Sequence, residues 1–377
     1  MPKLRYLLTC YAIIYFHCLL SNAYAYKAGN MDIKLRAGIR ENYDSNITYA
    51  DTNVKSDIST NLFFGLNAEY GGKRRSLGLS GNINRQSFDR YGSFNNTSGD
   101  FTFNFLNEFS KYSRMTLSNS FLRAEEPRSF EDEFGKAGNR YSYYKNTFDA
   151  GYKKDITRQL SLTAGYSNEV YDYSRNDLQD SYLNKINTEV DYSLSSRTIL
   201  LGSFEYLNKD FERSSNAQTE RVAVGLRQYL TTQLYFDLRS GQDFIKSVDK
   251  KNSTGQYLST SFTDEISENT VLKLSYLKEN TTTNFSQSIF ESQRLSLSMT
   301  KQLFKRLGFS LSAFYGKGEY AGQSISDKLK GVNSGFIYDI SGNVKAGLNY
   351  NYSDTSSNVS TREYTKDVVS AGLTYKF

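Results

Sequence analysis

From Met31 to the last residue the sequence alternates apolar and polar side chains with a period of two, and this repetition leaves little choice of fold. Ile33, Leu35, Ala37 and Ile39 open the series. Leu62, Phe64, Leu66, Ala68 and Tyr70 follow, and Leu307, Phe309, Leu311, Ala313 and Tyr315 keep the same spacing near the other end. A helical face would place apolar residues three and four apart, whereas every second residue shares one face of an extended strand. About eighteen such segments can be marked. Two of them, around residues 200–206 and 258–266, alternate least cleanly, and Ile199 and Leu201 sit on the nominally polar side of the first. Tight turns such as Gly71-Gly72-Lys73-Arg74, Ser195-Ser196-Arg197 and Ser341-Gly342-Asn343 alternate with longer polar stretches, among them residues 46–56, 124–139, 212–218, 248–255 and 353–363. A soluble sandwich has no reason for that asymmetry. It fits a transmembrane antiparallel up-and-down β-barrel, all-β, with short periplasmic turns, longer extracellular loops and both termini in the periplasm.

The last segment puts Val369, Ala371, Leu373, Tyr375 and Phe377 on one face, with Ser370, Gly372, Thr374 and Lys376 on the other. Taken alone it could be a half-buried strand of a soluble protein. With the rest of the chain it reads as the barrel-closing strand, and Val369, Leu373, Tyr375 and the terminal Phe377 look like the C-terminal signal by which bacterial outer-membrane barrels are recognised for assembly.

At the other end Lys3 and Arg5 precede an apolar run from Tyr6 to Leu20 and then Ala23-Tyr24-Ala25, which is secretory order. The run is shorter than the roughly 20 residues of a spanning helix. Residues 1–25 are therefore expected to be a cleaved signal peptide and residues 26–377 a single barrel domain. Cleavage removes Cys10, Cys18 and His17, the only cysteines and the only histidine, and leaves Pro127 as the sole proline. Zinc sites built on Cys and His, Ser-His-Asp triads and Cys-His dyads are thereby excluded. No catalytic residue, metal or cofactor is expected, and the protein reads as a non-enzyme. Near absence of proline suits a chain that is almost wholly paired strand.

Subtracting Lys3 and Arg5 from 46 basic residues leaves 44 against 40 acidic ones, a balance of +4 and too even to imply nucleic acid binding. Many charges fall on the face opposite the apolar series: Lys34, Arg36, Arg40, Glu169, Lys185, Glu189, Asp191, Arg221, Arg227, Asp237, Arg239 and Asp243. Against lipid they would be costly, so they are candidates for lining a wet lumen. They either pair across strands or select solutes. Tyrosines cluster toward strand ends, as at Tyr43, Tyr70, Tyr112, Tyr144 and Tyr350, the place of an interfacial girdle; the inward-facing Tyr171, Tyr173 and Tyr235 are candidates for stacking on sugars instead.

Residues 124–139 form the longest connection and hold Glu125, Glu126, Glu131, Asp132 and Glu133. This loop is expected to fold partly into the lumen and to bring these acids to a constriction, opposite Arg36, Arg40, Arg221, Arg227 and Arg239. The alternative is a solvated surface loop among lipopolysaccharide phosphates. A glycosidase would need two carboxylates at a defined separation in a cleft, which a dense cluster does not supply.

The opening strand, Arg36-Ala37-Gly38-Ile39-Arg40-Glu41-Asn42-Tyr43-Asp44-Ser45-Asn46-Ile47, followed by Ser56-Asp57, resembles the start of a family of porin-like outer-membrane β-barrels associated with exopolysaccharide gene clusters. Tyr43-Asp44-Ser45-Asn46 is the specific part. The resemblance implies a conduit in the bacterial outer membrane involved in export of a surface polysaccharide, with that polysaccharide and periplasmic export components as partners beside membrane lipid, lipopolysaccharide and the barrel assembly machinery. A general diffusion porin for small solutes and a non-conducting structural or surface-binding barrel are the other functions such a chain could serve.

Overall fold

The computed structural model describes residues 26–28, 30–134, 140–175, 178–247, 250–282, 289–321 and 323–377. The expected signal peptide lies outside the described residues. The strands are β1 (Tyr26–Ala28), β2 (Met31–Asp44), β3 (Asp57–Gly71), β4 (Arg75–Phe88), β5 (Asn96–Ser110), β6 (Ser113–Ala124), β7 (Tyr143–Asp155), β8 (Leu160–Tyr173), β9 (Ser181–Ser193) and β10 (Thr198–Phe211). They continue as β11 (Ser214–Tyr229), β12 (Leu234–Ser247), β13 (Lys250–Ser267), β14 (Thr270–Thr282), β15 (Ile289–Phe304), β16 (Leu307–Tyr320), β17 (Ile325–Asp339), β18 (Val344–Ser357) and β19 (Tyr364–Lys376). From β2 onward each pairs antiparallel with the next, and β19 returns to β2, with Lys376 opposite Arg36 and Val368 opposite Asp44, to close an 18-stranded barrel. Every expected apolar segment lies on one of these eighteen strands. The short β1 extends the seam: Tyr26 faces Ile33 on the edge of β2 that β19 occupies higher up.

Closure follows from solvent. In hydrocarbon an unpaired backbone N–H or C=O has no water to bond, and an open edge would expose a row of them. The outward face carries the alternating apolar series, and Leu62, Phe64, Val222, Val224, Leu295 and Leu373 on it are all exposed. Such a band suits a lipid-facing barrel. On β10 both faces are apolar, with Leu200 outward and Leu201 buried inside, which is why its alternation is poor.

Two expected loops are corrected. Strand β11 begins at Ser214 and β13 at Lys250, so the stretches 212–218 and 248–255 are largely strand. Their polar sequences continue the ladder beyond the lipid, where alternation is not enforced: Asn208 faces Gln218 and Phe244 faces Thr254.

At the opposite rim four turns share one device. The hydroxyls of Thr157, Ser195, Thr231 and Ser341 each accept the backbone N–H groups two and three residues on, as in Ser195 with Arg197 (3.2 Å) and Thr198 (3.1 Å). A hydroxyl at the turn's entry satisfies donors that the ladder cannot reach.

The extracellular end of the seam is knotted by Asp44-Ser45-Asn46. The Asn46 side chain, wholly buried, donates to the carbonyls of Ala50 (2.7 Å) and Thr365 (3.0 Å) and accepts from the N–H of Ala50 (3.1 Å). Lys366 of β19 donates to Asp44 of β2 at 2.7 Å, and the Ser45 and Asp367 backbones are joined at 2.9 Å. First and last strands are thus locked by side chains where the ladder ends. Removing the Asn46 side chain should leave three part-buried backbone groups, the N–H and carbonyl of Ala50 and the carbonyl of Thr365, to find water instead, at about 0.5–1.5 kcal/mol for each bond lost. Asn46→Ala is expected to lower the urea midpoint of the detergent-folded barrel; an unchanged midpoint would mean the knot carries no stability.

Candidate functional site

The longest connection lies between β6 and β7, and its described residues from Glu125 to Phe134 run into the lumen. Ser129 caps a one-turn helix, α1 (Phe130–Glu133), its Oγ accepting the Asp132 N–H at 3.0 Å. The turn brings Phe130 and Phe134 to one side. Both rings reach the inward faces of β16 and β17, on the far side of the barrel from β6 and β7. There Phe130 stacks on Phe314 with centroids 6.0 Å apart and packs on the buried Leu329, while Phe134 meets Phe290 at 5.2 Å. Glycines make the room: a Cβ at Gly331 would come within 2.3 Å of Phe130, and one at Gly316 within 2.8 Å of Phe134. Burying each ring is favourable by about 1.5–3 kcal/mol.

The root of the loop is held by charge. Arg140, nearly buried over the Phe88 ring (5.0 Å), donates to Glu125 (3.2 Å), Glu126 (2.5 Å) and Gln86 (3.2 Å). Lys366, already bonded to Asp44, lies 4.0 Å from Glu126. Burial alone would raise the Glu126 pKa, but Lys366 and Arg140 together hold the carboxyl below the usual range. Further along, the Tyr364 hydroxyl donates to Glu133.

Three acids of the loop, Glu125, Glu126 and Glu133, therefore do not pair with the expected arginines. Glu125 and Glu126 take Arg140 and Lys366, and Glu133 takes Tyr364; the Glu131 side chain lies outside the described residues. The arginines of β11 and β12 are paired along the wall. Arg221 is buried between Asp243 (2.7 Å) and Glu279 (3.1 Å), with Tyr257 4.1 Å away. Arg227 binds Asp237 at 2.5 Å and Arg239 binds Glu189. Asp243 also accepts the Asn280 backbone N–H at 3.0 Å, just past the end of the β13–β14 ladder at Lys278. Of the remaining lumen residues, Lys34 pairs with Asp32 (2.9 Å), Lys145 with Glu169 (3.0 Å), Lys153 with Asp191 (3.7 Å) and Lys185 with Glu205 (3.9 Å).

Beside the loop's root Tyr141, Tyr143, Tyr171 and Tyr173 form an inward cluster over Ala124, the last two stacked at 5.4 Å. Tyr143 and Tyr171 are buried, so their faces are spent on one another. Tyr235 packs on Tyr229 at 5.4 Å and under Arg227. The aromatic anchor Phe130–Phe314 was missed from sequence, although inward glycines at Gly316, Gly318 and Gly331 marked a place where the wall was cleared.

Residues 267–377 match the family described as Putative beta-barrel porin 2. Among solved structures, the FrpB iron transporter from Neisseria meningitidis (F3-3 variant) superposes with a TM-score of 0.50 at 10% identity, over 96% of this chain and 83% of that one. OccK2 (OpdF) of Pseudomonas aeruginosa does so with a TM-score of 0.50 at 12% identity, over 92% of this chain and 98% of that one. At these identities the likeness is one of fold. No curated protein matches the sequence. The chain has the closed-barrel fold of outer-membrane proteins, and its residues 267–377 match a porin family.

The chain lacks tryptophan, so Phe134→Trp supplies a single reporter of the loop. Because the Glu126 carboxyl titrates lower in the folded barrel than in a free chain, its ion pairs are complete above the ordinary glutamate pKa of about 4.3 and are lost as pH falls through the lowered value. Emission should stay blue-shifted from neutral pH down to about 4 and move red below it. Adding Gly331→Val should give the red-shifted spectrum at neutral pH. A spectrum indifferent to both changes would place the loop elsewhere.

Proposed function

We propose that the barrel is a passive conduit for polar solutes, narrowed by the 125–142 loop, and that its cargo is a surface polysaccharide made in the same cell. The seating of Phe130 and Phe134 on β16 and β17, across the lumen from the loop's own strands, is the observation that supports a narrowed conduit. Water-exposed charge inside and apolar residues outside suit transit of hydrophilic molecules. The polysaccharide rests on the resemblance carried by Tyr43-Asp44-Ser45-Asn46. In this reading the lumen-lining charges orient polar groups during passage, and Glu125, Glu126 and Glu133 act by holding the loop rather than by presenting free carboxylates. A non-conducting barrel is the second reading, favoured by the apolar seating of Phe130 and Phe134, which resembles a fixed plug more than a mobile constriction.

Planar-bilayer recording separates the two. The purified barrel is expected to conduct, and removal of residues 127–138 should raise its conductance severalfold while leaving folded yield unchanged. A barrel silent in both forms would support the structural reading. Deleting the gene should reduce surface polysaccharide; an unaltered polysaccharide coat with a conducting pore would leave a general diffusion porin.

A further inference from the structure

Two lumen cations stand apart from the paired wall of β9 to β15. Arg36 and Arg40, inward on β2, are exposed, and among the described residues no carboxylate pairs with either. Arg36 lies flat across Gly65, where a Cβ would come within 2.6 Å of its Nε, and donates to the Asn82 side-chain oxygen. Asn82 in turn donates to Asp100 at 2.7 Å, so that carboxylate is held from Arg36 by a whole amide. The Arg40 guanidinium is 5.9 Å from the centroid of Phe63, whose ring rests over Gly38 between the two arginines. A third guanidinium belongs to the loop: Arg128 is exposed, in electrostatic reach of both Arg40 and Glu126, and makes no ion pair at bonding distance among the described residues. Like charges gathered in a narrowed pore are unfavourable, and an anion between them relieves the repulsion. The loop that looked acidic in sequence has spent Glu125, Glu126 and Glu133 on other partners and presents a cation here.

We propose that Arg36, Arg40 and Arg128, with Phe63 between the first two, form a binding site in the lumen for an acidic saccharide, a sugar chain bearing carboxylates. Planar guanidinium forks match carboxylates, and a phenyl face offers apolar area to the C–H face of a pyranose. Arg36 and Arg40 are four residues apart on one strand, about 13 Å between Cα atoms, which exceeds a single sugar ring and suits a chain lying along the wall. The assignment deepens the conduit reading and rests on it for the cargo, but binding is measurable whether or not the barrel conducts.

Calorimetry on the detergent-folded barrel, with trigalacturonate against maltotriose, tests it. Trigalacturonate should bind about tenfold tighter or more, since charged hydrogen bonds are made only to the acid. Arg36→Gln with Arg40→Gln should abolish that preference, and Phe63→Ala should weaken both ligands. Arg128→Gln, on the loop and outside every strand, should reduce the preference even if the double variant fails to fold. Equal binding of the two sugars, or a preference that survives these substitutions, overturns the proposal. Tri-glutamate binding as tightly as trigalacturonate overturns the saccharide part. A silent barrel that still prefers the acid removes the conduit and keeps the site, whereas a conducting one without preference does the reverse.

Discussion

The fold depends on one hydrogen-bonded seam. Seventeen of the eighteen ladders join strands that are neighbours in sequence, but the ladder of β19 on β2 joins the two ends of the chain, and without it two edges would face hydrocarbon. Its pairs run only from Lys376–Arg36 to Val368–Asp44, shorter than the full-length ladder of β2 on β3. The chain compensates at both ends. Below, β1 fills the edge of β2 that β19 leaves uncovered; above, Asn46, Asp44 and Lys366 exchange side-chain bonds across the gap.

How far the fold was legible follows the lipid. Wherever a strand crosses hydrocarbon, its outward residues must be apolar, and the alternation at Leu307-Gly308-Phe309-Ser310-Leu311 could be read directly. Past the membrane that demand ends. The run Ser214 to Gln218 looks like a loop in sequence yet is ladder, since nothing there requires alternation. The turns were legible as turns, but the repeated hydroxyl at Thr157, Ser195, Thr231 and Ser341 gained meaning only from the N–H groups it bonds.

The lumen was less legible, because inwardness is a property of one strand and pairing a property of several. That Arg221 faces inward follows from parity; that it meets Glu279 of β14 as well as its cross-strand neighbour Asp243 depends on where β13 stops pairing. The loop acids suggested a field against arginines, but Arg140, Lys366 and Tyr364 lie nearer. Asp44-Ser45-Asn46, recognisable as a motif, turned out to be a structural knot, and its value to function is indirect.

That knot has a temporal consequence. Lys366 belongs to the last strand, Asp44 to the first crossing strand, and Glu126 to the loop between β6 and β7, so the cation that steadies the loop's root reaches it only after the chain's ends have met. The same holds for Tyr364 and Glu133. During insertion, before β19 finds β2, the loop lacks part of its docking surface. The loop's links to Lys366 and Tyr364 are therefore made only once the barrel has closed, whereas its apolar seat on Phe314 and Leu329 requires β16 and β17 alone.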